Sequence, residues 1–183
     1  MHSEYPRTPT DFEIYQLMRM RCPNDAKLAK LEGCDVTLQE AERVADEVSC
    51  NLPVGREQFT KLLELIGIHA RGIPTVRCAS TFWPQFEFVA ASTDIGAIGD
   101  AQFTRISGSP PLLADPIELP RWSATVGEFE ELFGPLRAGE QWLPNAEYLF
   151  ERSGRTYVAT FGWGLVLDVV RYSANTPPTL FWT

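Results

Sequence analysis

The chain contains few of the residues that most often perform chemistry or bind nucleic acid. Only two histidines occur among 183 residues, and only His69 lies away from the N-terminus. All three lysines lie in the first third of the chain, and no run of Lys and Arg is present. The net charge of −8 repels a phosphate backbone, so we expect no nucleic acid partner.

The chain also lacks the patterns of a metal site, a secretory signal and a membrane span. Its four cysteines form no C-x-x-C pair, and a zinc site needs about four clustered sulfur or nitrogen ligands, so we expect neither a metal nor another cofactor. The polar N-terminus lacks the apolar core of a signal peptide. No segment approaches the roughly 20 apolar residues of a membrane span, so we expect no membrane partner. The sequence therefore predicts a cytoplasmic protein with reduced thiols. Disulfides in a secreted form are the alternative, because the number of cysteines is even.

The first 70 residues have the pattern of short amphipathic helices. Apolar residues recur there at helical spacing, which predicts three to four helices between residues 9 and 70. One more short helix is expected near residues 126–133. Three of the helix starts are capping boxes, in which a threonine is followed three residues later by a glutamate. They are Thr10 with Glu13, Thr37 with Glu40, and Thr125 with Glu128.

Strand patterns dominate from residue 74 onward. Residues 85–90 alternate between polar and apolar types, and residues 148–173 form aromatic and β-branched runs separated by glycine-containing turns. Residues 92–101 have the pattern of a loop, and the proline-rich residues 107–121 that of an irregular segment. We therefore predict one α+β domain over residues 1–183. Its helical layer, residues 9–70, packs on a C-terminal antiparallel sheet in the mainly β subregion 74–183.

No residue is assigned a catalytic role. His69 follows a predicted helix and is interpreted as a helix C-terminal residue, since no nucleophile is suggested near it. The sequence contains no Gly-x-Ser-x-Gly nucleophile elbow. Cys34 lies beside Glu32 and Asp35, whose charges oppose formation of a thiolate.

Carboxylates are the side chains that we expect to meet a partner. Glu128, Glu130 and Glu131 share one short helix, where a solvated acidic face explains them better than acid–base chemistry does. Asp168 interrupts the apolar run 165–170. It either faces inward, where it needs a partner, or forms the polar half of an alternating strand.

Tryptophan is the other candidate for recognition. Trp163 lies between two glycines in a predicted turn, where the glycines are required and the indole is not. It is either a partner-binding residue or part of the core. An alternative site would be a ligand pocket lined by aromatic residues, in which Trp142, Arg152 and Arg155 make the contacts.

Together these observations predict a non-catalytic, acidic domain that binds another protein with a basic surface. A bacterial toxin-neutralising immunity protein, or another inhibitor, has such general properties, although no motif carries that analogy. A small-ligand binder or an enzyme with an aromatic pocket is the alternative. A structural or secretion adaptor subunit, docking through Phe181 and Trp182, is the third possibility.

Overall fold

A computed structural model describes residues 10–69 and 72–173. The chain divides into two compact units, Met1–Gly108 and Ser109–Thr183. We describe each unit by itself. That the chain behaves as a single cooperative domain stays a prediction, while the tail residues Phe181 and Trp182 lie outside the described residues.

The first unit begins with four helices: α1 (Asp11–Arg19), α2 (Asn24–Leu31), α3 (Leu38–Asn51) and α4 (Gln58–Leu65). A 3₁₀ turn, Glu32–Cys34, follows α2. The predicted capping boxes at Thr10 and Thr37 are confirmed, because each threonine accepts from the glutamate amide and each glutamate accepts from the threonine amide. These local bonds set where α1 and α3 begin.

The helices of the first unit pack on a three-stranded antiparallel sheet in the order β1 (Thr75–Ala79), β2 (Phe86–Ser92) and β3 (Ile98–Arg105). The ring of Phe12 on α1 meets the ring of Phe88 on β2 at 5.4 Å between centroids. The predicted loop over residues 92–101 is wrong for Ser92, which ends β2, and for its last four residues, which open β3. Gly99 and Asp100 weaken the strand pattern there, and pairing with β2 determines the structure instead.

The second unit places one helix, α5 (Val126–Phe133), on a four-stranded antiparallel sheet. The strands lie in chain order as β4 (Arg137–Trp142), β5 (Asn145–Arg152), β6 (Arg155–Gly162) and β7 (Leu165–Arg171). Phe129 of α5 is fully buried and contacts Phe150 and Phe161 of the sheet at 5.2 and 5.5 Å between ring centroids. The third predicted capping box, at Thr125, is also confirmed.

The predicted α+β class is therefore confirmed, with antiparallel strands that form two sheets instead of one. The proline-rich segment before α5 is irregular as expected, apart from the 3₁₀ turn Pro116–Glu118. Among the described residues, no helix is long and apolar enough to cross a membrane.

The two edges of the second sheet differ. Beside β7, the segment 122–126 continues the hydrogen bonding: the Trp122 amide donates to Val166, the Val166 amide to Ala124 and the Val126 amide to Gly164. Beside β4, no strand of the described part of the chain pairs with the edge that faces away from β5. The edge at β7 is thus covered over residues 164–166, and the edge at β4 is open in the described part of the chain.

Candidate functional site

The second sheet has two unlike faces, and they separate the predicted site residues. Side chains of Phe150, Tyr157 and Phe161 pack under α5. Because side chains alternate along a strand, Glu147, Leu149 and Thr160 point to the opposite face. We call this opposite face the outer face.

The α5 acids occupy the helix side of the sheet. Glu128 is half-buried and accepts from the Thr125 amide at 2.8 Å, so its carboxylate serves the capping box. Glu130 is exposed and accepts from the Leu136 amide at 3.1 Å, which fixes the turn after the helix. Glu131 is exposed. Only Glu130 and Glu131 therefore present a carboxylate broadly to solvent.

Asp168 lies on the outer face, where it is opposite Thr160 of β6. Of the two orientations considered for it, the structure has the outward one, because the side chain is exposed. One carboxylate oxygen accepts from the Val169 amide at 3.0 Å. The sheet thus separates Asp168 from the α5 acids, and the four predicted acidic residues do not form one patch.

Trp163 is 9% exposed, so its indole is part of the packed interior. Its backbone has φ 50°, and its amide donates to the carbonyl of Pro144 at 2.8 Å. This bond holds the β6–β7 turn beside the β4–β5 turn. The burial favours the core interpretation of Trp163 over a direct contact with a partner.

The residues of the alternative ligand pocket are not brought together. Trp142 lies at the start of the β4–β5 turn, whereas Arg152 and Arg155 face each other at the far end of β5. The eight residues of β5 put about 23 Å between the two groups. Arg152 donates to the carbonyl of Leu132 at 3.2 Å and lies over the ring of Phe133, so it stabilises the C-terminal end of α5.

Trp142 is instead one of the most exposed large apolar side chains of the described residues, at 71%. It is paired with Asn145, and therefore it belongs to the outer face. The next residue, Leu143, is 75% exposed. Two large apolar side chains are therefore exposed next to each other at this turn.

A shallow depression of about 250 Å³ opens at the other end of β4. Drug-sized ligands usually occupy larger and more enclosed pockets. Its lining comprises Pro135, Arg137, Leu149, Phe150, Glu151 and Thr156. The depression is therefore suited to a single side chain more than to a substrate.

Sequence reasoning missed β4 and, with it, Arg137 and Glu140. Every side chain of β4 is exposed except at half-buried Gly139, so the strand has no apolar alternation that a pattern could reveal. Regular alternation would also place an arginine and a tryptophan five residues apart on opposite faces of a strand. A bulge between Ala138 and Gln141 places both on the outer face, and nothing in the residue types marks it.

The histidine and the cysteine considered for catalysis both belong to the first unit. His69 is exposed, four residues after the end of α4. Burial raises the pKa of the Cys34 thiol, and the charges of Glu13 and Asp35 raise it further. These shifts oppose thiolate formation at neutral pH. Within residues 10–69 and 72–173, no three His, Cys, Asp or Glu side chains are placed to hold a metal ion.

Comparisons with protein families, with curated proteins and with solved structures give no match for this chain. The function is therefore inferred from the geometry of each unit.

Proposed function

We propose that the protein is a non-catalytic, acidic binding domain that recognises another protein through a basic surface of that partner. The observation that carries this proposal is the unneutralised charge of the second unit. Nine carboxylates and five arginines occur in residues 109–183. Glu130, Glu131 and Asp168 form no ion pair with any described residue.

Two of the five arginines of this unit bond to the backbone and not to those carboxylates. Arg121 donates to the carbonyl of Leu167 at 2.8 Å, and Arg152 donates to that of Leu132. Both guanidinium groups thus donate hydrogen bonds to backbone carbonyls and not to carboxylates. An exposed acidic field of this kind accelerates encounter with a basic protein and selects against acidic ones.

Because the acids lie on two sides of the second sheet, the proposal allows two contact regions: the α5 side with Glu130 and Glu131, and the outer face with Asp168. Inhibition of a basic toxin, as by an immunity protein in a bacterial cytoplasm, is the specific form of the proposal. It rests on charge and on general properties, without a motif. Neither a nucleic acid nor a membrane is proposed as a partner.

The test begins with capture from a lysate of the native host, using the full chain as bait. A stoichiometric protein recovered in this way is then purified, and its association rate is measured with the wild type and with Glu131→Lys and Asp168→Lys. We expect one of the two reversals to slow association by about tenfold at low ionic strength, and added salt to reduce the difference.

The matched control is Glu42→Lys, which makes the same charge change at an exposed position of α3 in the first unit. The proposal fails if no stoichiometric protein is recovered, or if all three reversals slow association equally. In the latter case, only the net charge matters and no contact region exists.

A further inference from the structure

We propose that two copies of the chain associate through β4, whose open edges pair antiparallel about a two-fold axis so that Trp142 of each copy fills the depression beside Arg137 of the other. This proposal does not depend on the partner proposed above. It joins three features of the second unit that are otherwise unexplained: an open strand edge, an exposed tryptophan and a side-chain-sized depression.

The open edge of β4 can form backbone hydrogen bonds with a further strand. The strand is six residues long, and within residues 10–69 and 72–173 it pairs with β5 alone. It buries almost none of its side chains, so its own packing contributes little to holding it in place. A second set of backbone hydrogen bonds would satisfy the amides and carbonyls on the open side.

Pairing of the whole strand with its copy defines a single register for the two β4 strands. When all six residues of β4 pair with β4 of a second copy, Arg137 lies opposite Trp142, Ala138 opposite Gln141 and Gly139 opposite Glu140. Residues that lie opposite each other in an antiparallel sheet must share a face. Arg137 and Trp142 meet this condition only because of the bulge between Ala138 and Gln141.

This register brings the tryptophan to the depression. Arg137 lines the depression, together with outer-face residues Leu149, Glu151 and Thr156. Trp142 of the second copy, 71% exposed in the isolated chain, would lie over that lining. The guanidinium of Arg137 would then meet an indole face, an attractive cation–π contact. The two-fold axis repeats this contact, so that it occurs twice in the dimer.

The register brings charges of both signs together. Glu140 lies diagonally across from Arg137 of the second copy, within the reach of long side chains on neighbouring strands. The two Glu140 residues lie on either side of the two-fold axis, where their carboxylates repel each other. One Arg137–Glu140 attraction at each end of the contact partly offsets this repulsion and that between two chains of charge −8.

Sedimentation equilibrium of the full chain over concentrations up to the millimolar range tests the proposal. We expect a reversible dimer whose dissociation constant rises by about tenfold or more in Trp142→Ala, as for a buried tryptophan anchor. Arg137→Ala should raise it by a smaller factor. The matched control is Leu112→Ala, which removes an 86% exposed apolar side chain of the same unit outside β4 and should leave dimerisation unchanged.

A cross-linking experiment reports the register directly. Trp142 is replaced by p-benzoylphenylalanine, isotopically heavy and light chains are mixed, and the heavy–light cross-links are mapped after irradiation. We expect them at Pro135, Arg137, Leu149 or Thr156. A chain that stays monomeric throughout overturns the proposal. So does a dimer that Trp142→Ala leaves intact, or one whose cross-links lie away from the depression.

Discussion

The two units differ in how deeply they bury the charged side chains that bond to other polar groups. In the first unit Glu13, only 7% exposed, accepts from the Thr10 amide, the Ser80 hydroxyl and the Thr81 amide. In the second unit Arg121 and Arg152, which donate to main-chain carbonyls, are only half-buried. The three ion pairs found among the described residues all lie in the first unit.

The two units therefore differ in the charged side chains that they present to a partner. The first unit has 15 acids and 11 basic residues over residues 1–108, and part of this charge is neutralised locally. In the second unit, two half-buried arginines bond to the backbone, and the other three arginines are exposed along with several carboxylates. Acids outnumber basic residues by four in each unit, so the units differ in local ion pairing and not in net charge.

Truncation of the central aromatic ring of either unit is expected to have the largest effect. Phe129→Ala removes a fully buried ring that contacts three other phenylalanines of the second unit. The free energy of unfolding should fall by about 3–5 kcal/mol, because a cavity is added to the lost burial. Differential scanning calorimetry measures the change.

Phe88→Ala makes the matching change in the first unit, where Phe88 contacts Phe12 and Phe103. If the chain is one cooperative domain, as the sequence predicts, both substitutions lower the same single transition. Two transitions, each lowered by only one of the substitutions, would show that the units unfold separately and would contradict the single-domain prediction.

Replacing a capping glutamate should lower the free energy of unfolding by less. The same capping box occurs three times, and its glutamate is buried to a different extent each time. Glu13 is buried, Glu128 is half-buried and Glu40 is exposed. Glu13→Ala leaves the Ser80 hydroxyl and the Thr81 amide without their acceptor, so it should cost about 1–3 kcal/mol. Urea denaturation of Glu13→Ala, Glu128→Ala and Glu40→Ala should rank them in that order. An equal loss in all three would mean that the contacts of Glu13 beyond its capping box contribute nothing.

The smallest expected effect is the pH dependence of stability that Glu40 contributes. The hydroxyl and amide of Thr37 donate to Glu40 and lower the pKa of that carboxyl below its ordinary value. A carboxyl whose pKa is lower in the folded state stabilises the fold above its unfolded pKa. That contribution disappears as the pH falls through the folded pKa.

NMR titration of the Glu40 side-chain carboxyl carbon measures this shift. Thr37→Ala should move the pKa back toward the ordinary glutamate range, because the largest cause is the side-chain hydrogen bond. An unchanged midpoint in Thr37→Ala would assign the shift to the backbone amide instead.

Local signals in the sequence predicted the parts of the fold that local physics determines. The three capping boxes were found because a threonine and a glutamate three residues apart can complete their bonds within one turn. The strands β6 and β7 were found because their β-branched and aromatic residues fit a largely buried sheet. The sequence does not predict β4. Its residues, RAGEQW, are held in a strand by pairing with β5, and almost none of their side chains are buried.

The candidate site was less predictable, because it depends on which strand faces meet. Asp168 and the α5 acids have similar chemistry, and only the position of α5 over Phe150 and Phe161 shows that a sheet separates them. Likewise, Trp142 and Arg152 are ten residues apart in the sequence but lie at opposite ends of β5. Residue types predicted the kinds of groups available, and strand register determined which groups are neighbours.

The segment 122–126 that lies along β7 has a consequence for the size of any assembly. Sheets that grow at both borders can add chains without end and form filaments. Here Trp122 and Val126 already bond to β7, so a further chain has no free backbone groups to use along that length. Growth along that stretch is blocked, which favours a closed pair joined through β4 over a fibre.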